Sequence, residues 1–280
     1  MFEVTRMDEK TIQKKIEEGR NFIRSFNEEE DEEYYTDQDL KKPQPPLAKE
    51  ALSDVLVSLP VNYEDLDLDN DFLHVINSRK SHRVYTEEKM SLLQLSFLLW
   101  CSQGVKEIRG KSYATLRTVP CGGARHEFEC YMTIQNVEGL EDGFYHYLPM
   151  KHALEKLEGL KDLRTFIGDS LCEQVWAAKA NVVFYYSVVF YRAEWRYGIY
   201  AHVPVLIDSG HITENVYLAA AAAGLGGCAI AAVDHNLADQ AFGLDGKEET
   251  IFYAMSVGTV SAENEKAEQD FYAFVKEQGL

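Results

Sequence analysis

The chain has 280 residues, 46% of them hydrophobic and 12% aromatic, enough for a sizeable core and too many for wholesale disorder. Its 28 Lys+Arg stand against 46 Asp+Glu, a net charge of −18, which excludes the broad basic surface that nucleic acid requires. Five cysteines, odd in number and without a CxxC pair, together with no signal peptide and no spanning apolar run, predict a reduced, cytoplasmic protein that does not enter a membrane.

The acid is unevenly spread. Residues 1–70 hold 9 Lys+Arg and 19 Asp+Glu, a balance of −10, and the other 210 residues carry −8. That contrast divides the chain into an acidic extension, 1–70, and a catalytic domain, 71–280. In the extension, Ile12, Ile16, Gly19, Ile23 and Phe26 recur at helical spacing and predict an amphipathic helix over 8–27. "NEEEDEE" (27–33) reads as a solvated charge run, and "KKPQPPLAKE" (41–50) as an extended connector stiffened by proline. The extension is expected to wrap the domain rather than form a second core.

"SRKSHRVY" (78–85) comes next and gathers Arg79, Lys80, His82 and Arg83 around Ser81. The plain reading is a solvated basic helix end. The functional reading is a cradle for one phosphate, because arginine presents a fixed fork of donors to an anion. Arg79, Ser81 and Arg83 could converge on one anion at a helix-to-loop transition.

Further along, Ser91 and Gln94 form a capping-box pattern, and Leu92, Leu95, Leu98 and Leu99 mark the buried face of a helix ending at Gly104. In "RTVPCGGARHEFE" (117–129), Pro120, Cys121, Gly122 and Gly123 form a turn whose glycines let backbone N–H groups approach a flat ligand. Cys121 is a conceivable nucleophile, but sequence places no base near it. "FECYMTI" (128–134) alternates Phe128, Cys130, Met132 and Ile134 on one face, as a strand does, and "GFYHY" (143–147) follows as its hairpin partner. "ANVVFYYSVVF" (180–190) is apolar throughout, as in a central strand covered on both faces.

"IDSGHITENVYLAAAAAG" (207–224) predicts a long helix of small residues that another helix can approach closely. The glycines of "GLGG" (224–227) follow that helix, whereas a dinucleotide fingerprint needs a strand before its glycines, so they read as a helix stop. No phosphate-loop motif is present. Short strands are expected at 227–232 and 250–258. The eight histidines show no trustworthy metal-ligand spacing, His211 and Asn215 reading as packing residues, so no metal is expected. The order fits an α+β sandwich with a mainly antiparallel sheet and flanking helices.

In order, "SRKSHRVY", "LLQLSFLLWCSQGV", "RTVPCGGARHEFECY", "VEGLEDGFYHYLP", "DSGHITENVYLAAAAAGLGGCAI" and a closing "VG" resemble the nitroreductase-like flavoproteins over residues 70–260, nearest to the SagB/ThcOx-type dehydrogenase branch. The resemblance implies a three-layer sandwich, an intertwined homodimer with flavin at the subunit interface, and an FMN-dependent oxidoreductase fed by NADH or NADPH that reduces a small molecule. It implies that Arg79 and Ser81 hold the FMN phosphate, that Lys80 between them belongs to the cofactor-binding stretch, and that Arg83 approaches the flavin ring. Pro120, Cys121, Gly122 and Gly123 then match a loop that reaches toward the partner's flavin. Ala229, Ile230, Ala231 and Ala232 match a segment whose amides lie near the reactive flavin nitrogen.

Flavin carries the redox chemistry itself, so the chain needs a phosphate anchor, a ring-side cation and a dry, flat cavity. Three departures stand out: Cys121 replaces the usual serine, and only Lys266 and Lys276 follow Gly258 where a further phosphate ligand is often found. Arg196-Tyr197 also stands where the azoline-oxidising branch has a Lys-Tyr pair, leaving Tyr197 as the candidate proton-transfer residue. The alternatives are a SagB-like azoline dehydrogenase in peptide modification and a flavin-binding or interaction protein without turnover.

Overall fold

The computed structural model describes residues 7–24, 34–160, 162–271, 273 and 277. The acidic run at 27–33 lies outside the described residues. In chain order the elements are α1 (Glu9–Ile23), β1 (Leu56–Ser58), α2 (Phe72–Ser78), α3 (Leu92–Gln103), β2 (Val105–Arg109), β3 (Ala114–Arg117), β4 (Phe128–Ile134), β5 (Gly143–Leu148) and β6 (Ala153–Leu157). There follow α4 (Leu163–Ser170), β7 (Val182–Val189), α5 (Phe190–Tyr197), α6 (His202–Ala222), β8 (Leu225–Ile230), α7 (His235–Phe242), β9 (Glu249–Thr259) and α8 (Asn264–Phe271).

Seven strands form one antiparallel sheet in the order β1-β6-β5-β4-β7-β9-β8, and β2 and β3 form a separate hairpin. Strand alternation sorts the side chains into two cores. Phe128, Cys130, Met132, Phe184 and Tyr186 face α3 and α6, where Leu95, Leu98, Leu99 and Val216 close the layer. Tyr131, Val183 and Tyr185 face the other way and pack against Phe166 and Ile167 of α4 and Phe242 of α7. The result is a three-layer α/β/α sandwich. β4, expected to bury one face, is buried on both, because α4 and α7 cover the second.

The Ser91–Gln94 capping box forms, with both reciprocal bonds, and α3 ends at Gly104. Helix α6 starts at His202, five residues before the predicted onset, and stops at Ala223–Gly224. Gly226 and Gly227, read with the helix stop, instead belong to β8, so that strand occupies 225–230 rather than 227–232. A Cβ on Gly226 would lie 2.7 Å from Cβ of His82, so glycine there admits the basic stretch alongside the strand. Ser81 pairs with Gly227 in a parallel bridge, and the His82 amide donates to the Gly227 carbonyl at 2.9 Å. The 81–82 segment therefore lies along the outer edge of β8.

Residues 34–70 run over this body. β1 joins the sheet at β6, and the Gln38 amide donates to the Trp195 carbonyl at 2.8 Å. The 41–50 connector is extended and pinned at Lys49, whose amide donates to Glu129 and whose Nζ reaches Glu249 at 2.6 Å and Tyr131 at 2.8 Å. Helix α1 buries no residue within the chain. Among the described residues, no helix is long and apolar enough to cross a membrane.

Candidate active site

The basic stretch begins where α2 ends. Asp71 caps that helix by accepting from the Leu73 and His74 amides, and Arg79 is its C-cap, turned out of helical geometry. The chain then runs along β8, which carries Ser81 to α6. There Ser81 Oγ and the Tyr217 hydroxyl lie 2.9 Å apart, and the same hydroxyl accepts from the Ala229 amide at 2.8 Å. The Arg79 guanidinium stacks on the Tyr217 ring, 5.3 Å from its centroid. No carboxylate among the described residues pairs with Arg79, so its charge is available to an anion.

Arg79, Ser81 and Ala229, predicted separately, thus meet at Tyr217. A cavity of 230 Å³ opens beside them, lined by Arg79, Lys80, His82, Tyr217 and Gly227. Arg83 does not share this contact. Its guanidinium lies over Trp176, 5.7 Å from the centroid, on the α4/α7 side of the sheet. The amides of Arg83 and Val84 both donate to Oε1 of Glu268, a buried carboxylate from α8. Ile230 is buried in β8, and Ala231 and Ala232 lie exposed beyond its end. Lys266 is exposed on α8, and Lys276 lies outside the described residues.

The Pro120–Gly123 loop sits elsewhere. The Gly122 amide donates to Asp208 Oδ2 at 2.8 Å, near the N-terminal end of α6. Asp208 and Tyr217 are nine residues apart, about 13 Å of helix rise, so one chain does not bring loop and basic cradle together. Gly123 has φ +57°, and a Cβ there would lie 2.4 Å from Arg196 Nε and 2.7 Å from the Tyr197 hydroxyl. Glycine is required at that position twice over. Arg196 stacks on Tyr197 at 5.6 Å and donates to the Tyr113 hydroxyl at 3.0 Å and to Gln38 at 3.2 Å.

Under the loop, the Cys121 thiol donates to Glu127 Oε2 at 3.3 Å. Burial, reinforced by the carboxylates of Glu127 and Asp208, pushes that thiol far above its ordinary range, which opposes a free thiolate nucleophile. Burial and the nearby Asp208 likewise push Glu127 up. His211 bonds to Asp208 and Asn215 to the Cys101 carbonyl, so these two histidine-turn neighbours each pack separately.

Sequence reasoning missed Tyr217, Asp208, Glu127 and Trp176. Tyr217 had one signal: it is the single aromatic residue in the small-residue run "NVYLAAAAAG". Asp208 had another, as one of only two carboxylates, with Glu214, in α6.

An α/β/α sandwich built on one antiparallel seven-stranded sheet, with a basic stretch along its edge strand, defines the fold. The nitroreductase family profile matches residues 76–259, and the chain belongs to that family. A nitroreductase-type protein of Methanocaldococcus jannaschii is 30% identical over 184 residues, covering 64% of this chain and 85% of its own. The trifolitoxin-processing protein TfxB of Rhizobium leguminosarum bv. trifolii is 33% identical over 115 residues, 39% of this chain but only 30% of TfxB. Among solved structures, a nitroreductase-type protein of Ralstonia eutropha superposes with TM-score 0.59 at 23% identity, over 79% of this chain and 97% of that one. The Escherichia coli microcin synthetase McbBCD, bound to truncated pro-MccB17, gives TM-score 0.54 at 21% identity, over 66% and 72% of the two chains. The fold is therefore the nitroreductase fold, and the chain is a nitroreductase-family oxidoreductase.

Proposed function

We propose that this oxidoreductase is cytoplasmic and FMN-dependent, and that it passes electrons from NADH or NADPH to a small organic acceptor. The observation that carries the reading is the cradle itself: an arginine with no carboxylate partner among the described residues, two hydroxyls 2.9 Å apart, and a cavity walled by glycine-bearing backbone. Those groups fit one phosphate, and the chain lacks a dinucleotide fingerprint, which favours FMN over FAD. Bound flavin would supply hydride transfer. The chain's own part is to anchor the phosphate through Arg79, Lys80 and Ser81, to orient Ser81 through Tyr217, and to keep water out. Separation of the 120–123 loop from the cradle within one chain supports a homodimer, in which a second copy supplies the loop. The direct test is denaturation of the purified protein with identification of what it releases. FMN is expected; FAD, or a colourless protein that FMN cannot reconstitute, overturns the reading.

The second reading is azoline oxidation in peptide modification. The likeness to TfxB and McbBCD favours it. Arg196 opposes it. Proton removal from a ring carbon calls for an acceptor, and arginine stays protonated in proteins. An anaerobic screen of nicotinamide donors against a thiazoline peptide separates the two.

A further inference from the structure

At the Pro120–Gly123 turn three possible ligands meet: Cys121 in the turn, Glu127 just after it, and Asp208 from the distant helix α6. One ligand atom of each lies within 4.8 Å of the other two. Glu127 and Asp208 are 1% and 4% exposed, and the ion-pair partner found for Asp208 is His211, charged only if protonated, with none for Glu127, among the described residues. Two carboxylates therefore share a buried space, and no Lys or Arg among the described residues ion-pairs with either, an arrangement that costs stability unless positive charge enters. A second observation points to a ligand. Oε1 of Glu127 is fully buried and, among the described residues, meets no hydrogen-bond donor, which leaves an acceptor that a cation would satisfy.

We propose that Cys121, Glu127 and Asp208 bind a zinc-class divalent cation. The sulfur-to-oxygen spacing supports it. Cys121 Sγ and Glu127 Oε2 are 3.3 Å apart, and a tetrahedral site with metal–sulfur near 2.3 Å and metal–oxygen near 2.0 Å sets such a pair about 3.5 Å apart. A thiolate in the set selects a borderline-soft ion over magnesium or calcium. The outer groups are also in place. The His126 amide donates to Cys121 Sγ at 3.0 Å, the Gly122 amide to Asp208 Oδ2 at 2.8 Å, and His211 contacts Asp208 Oδ1 at 3.2 Å. Cation binding releases the thiol proton, and any proton shared by the carboxylates, to solvent, leaving the metal bound by three anionic ligands and one open position. The site is distinct from the cradle at the other end of α6 and stands whether or not flavin is bound there.

The test is a titration of chelator-treated, tag-free full-length protein with Co²⁺, alongside zinc analysis of untreated protein. One equivalent of cobalt is expected, with sulfur-to-cobalt charge-transfer absorption that disappears in Cys121→Ser. His211→Ala, a change at a largely exposed side chain, should fold normally and weaken cobalt binding by about ten- to a hundredfold. Absence of the sulfur band in the wild type, with substoichiometric zinc, overturns the proposal and leaves a shared proton in the cluster. Cobalt binding whose spectrum survives Cys121→Ser overturns it equally, by placing the metal elsewhere. FMN content is read separately, so neither result bears on the flavin assignment.

Discussion

At the scale of single residues, Tyr217 organises the cradle, because one hydroxyl meets Ser81 and the Ala229 amide while its ring carries Arg79. Arg79→Ala is expected to weaken FMN binding by about ten- to a hundredfold, since a charge-assisted bond is worth roughly 1.5–3 kcal/mol. Arg83→Ala, which lies outside that contact, should leave affinity nearly unchanged and make flavin reduction harder, if Arg83 is the ring-side cation that the family resemblance implies. Equilibrium FMN titration and a redox titration of both variants check the pair; equal affinity losses would refute the division. Arg196 supports a second prediction. Burial works against its charge, yet Tyr197 and Tyr113 hold its guanidinium above the ordinary value. Flavin-loaded protein given a thiazoline peptide should therefore show no loss of two mass units. Turnover that persists in Arg196→Ala would promote the peptide-modification reading. Arg79 and Ser81 were legible in sequence because their basic cluster stands apart in an acidic chain. Tyr217 was not, since it lies 136 residues from the serine it touches.

At the scale of elements, legibility followed periodicity. Helix α3 and strands β4, β5, β7 and β9 carry long apolar patterns and could be read directly. β6 could not, because "ALEKL" places Glu155 in a fully buried position. Only the folded chain shows how: His146 meets it at 2.8 Å from β5, and the Leu52 amide donates to it at 2.7 Å. This contact belongs to a buried network in which Arg192 and His146 also bind Glu129. Burial opposes the charged form of His146, but Glu129 and Glu155 together raise its pKa, with Tyr131 stacked on the ring. A raised native pKa sets the sign: His146 contributes full stability below its unfolded value of about 6.5 and loses it as pH rises through the native value. Urea denaturation across that window should show stability falling on the alkaline side, and His146→Gln should flatten the fall. An unchanged slope in the variant would remove His146 from the account.

At the scale of the whole molecule, Phe72 and Leu73 on α2 are 70% and 68% exposed, and Ile207 on α6 is 55% exposed. Such apolar side chains, on helices flanking both the cradle and the loop, fit a surface covered by a second copy. The protein is expected to be a dimer by light scattering, and Ile207→Glu should yield monomers that lose FMN. A monomer that retains its flavin would contradict this. The sequence pattern of small residues on α6 foretold the close approach of another helix, and α3 is the helix that makes it within the chain, since Asn215 reaches the Cys101 carbonyl.

The segment that carries Ser81 along β8 has a bearing on how the protein ages. An open strand edge is a template for pairing with another molecule, and proteins usually blunt it with charge or cover it. Here the cover is the stretch proposed to bind the cofactor, held to Gly227 by a bridge at Ser81 and the His82 amide. Whatever fastens Arg79 and Ser81 also keeps the edge shut, so protein stripped of flavin should aggregate faster on storage than loaded protein, through growth of cross-strand structure. Light scattering and thioflavin fluorescence of the two forms, held side by side at equal concentration, would register the difference. Equal rates would mean that the strip keeps the edge shut without help from its ligand.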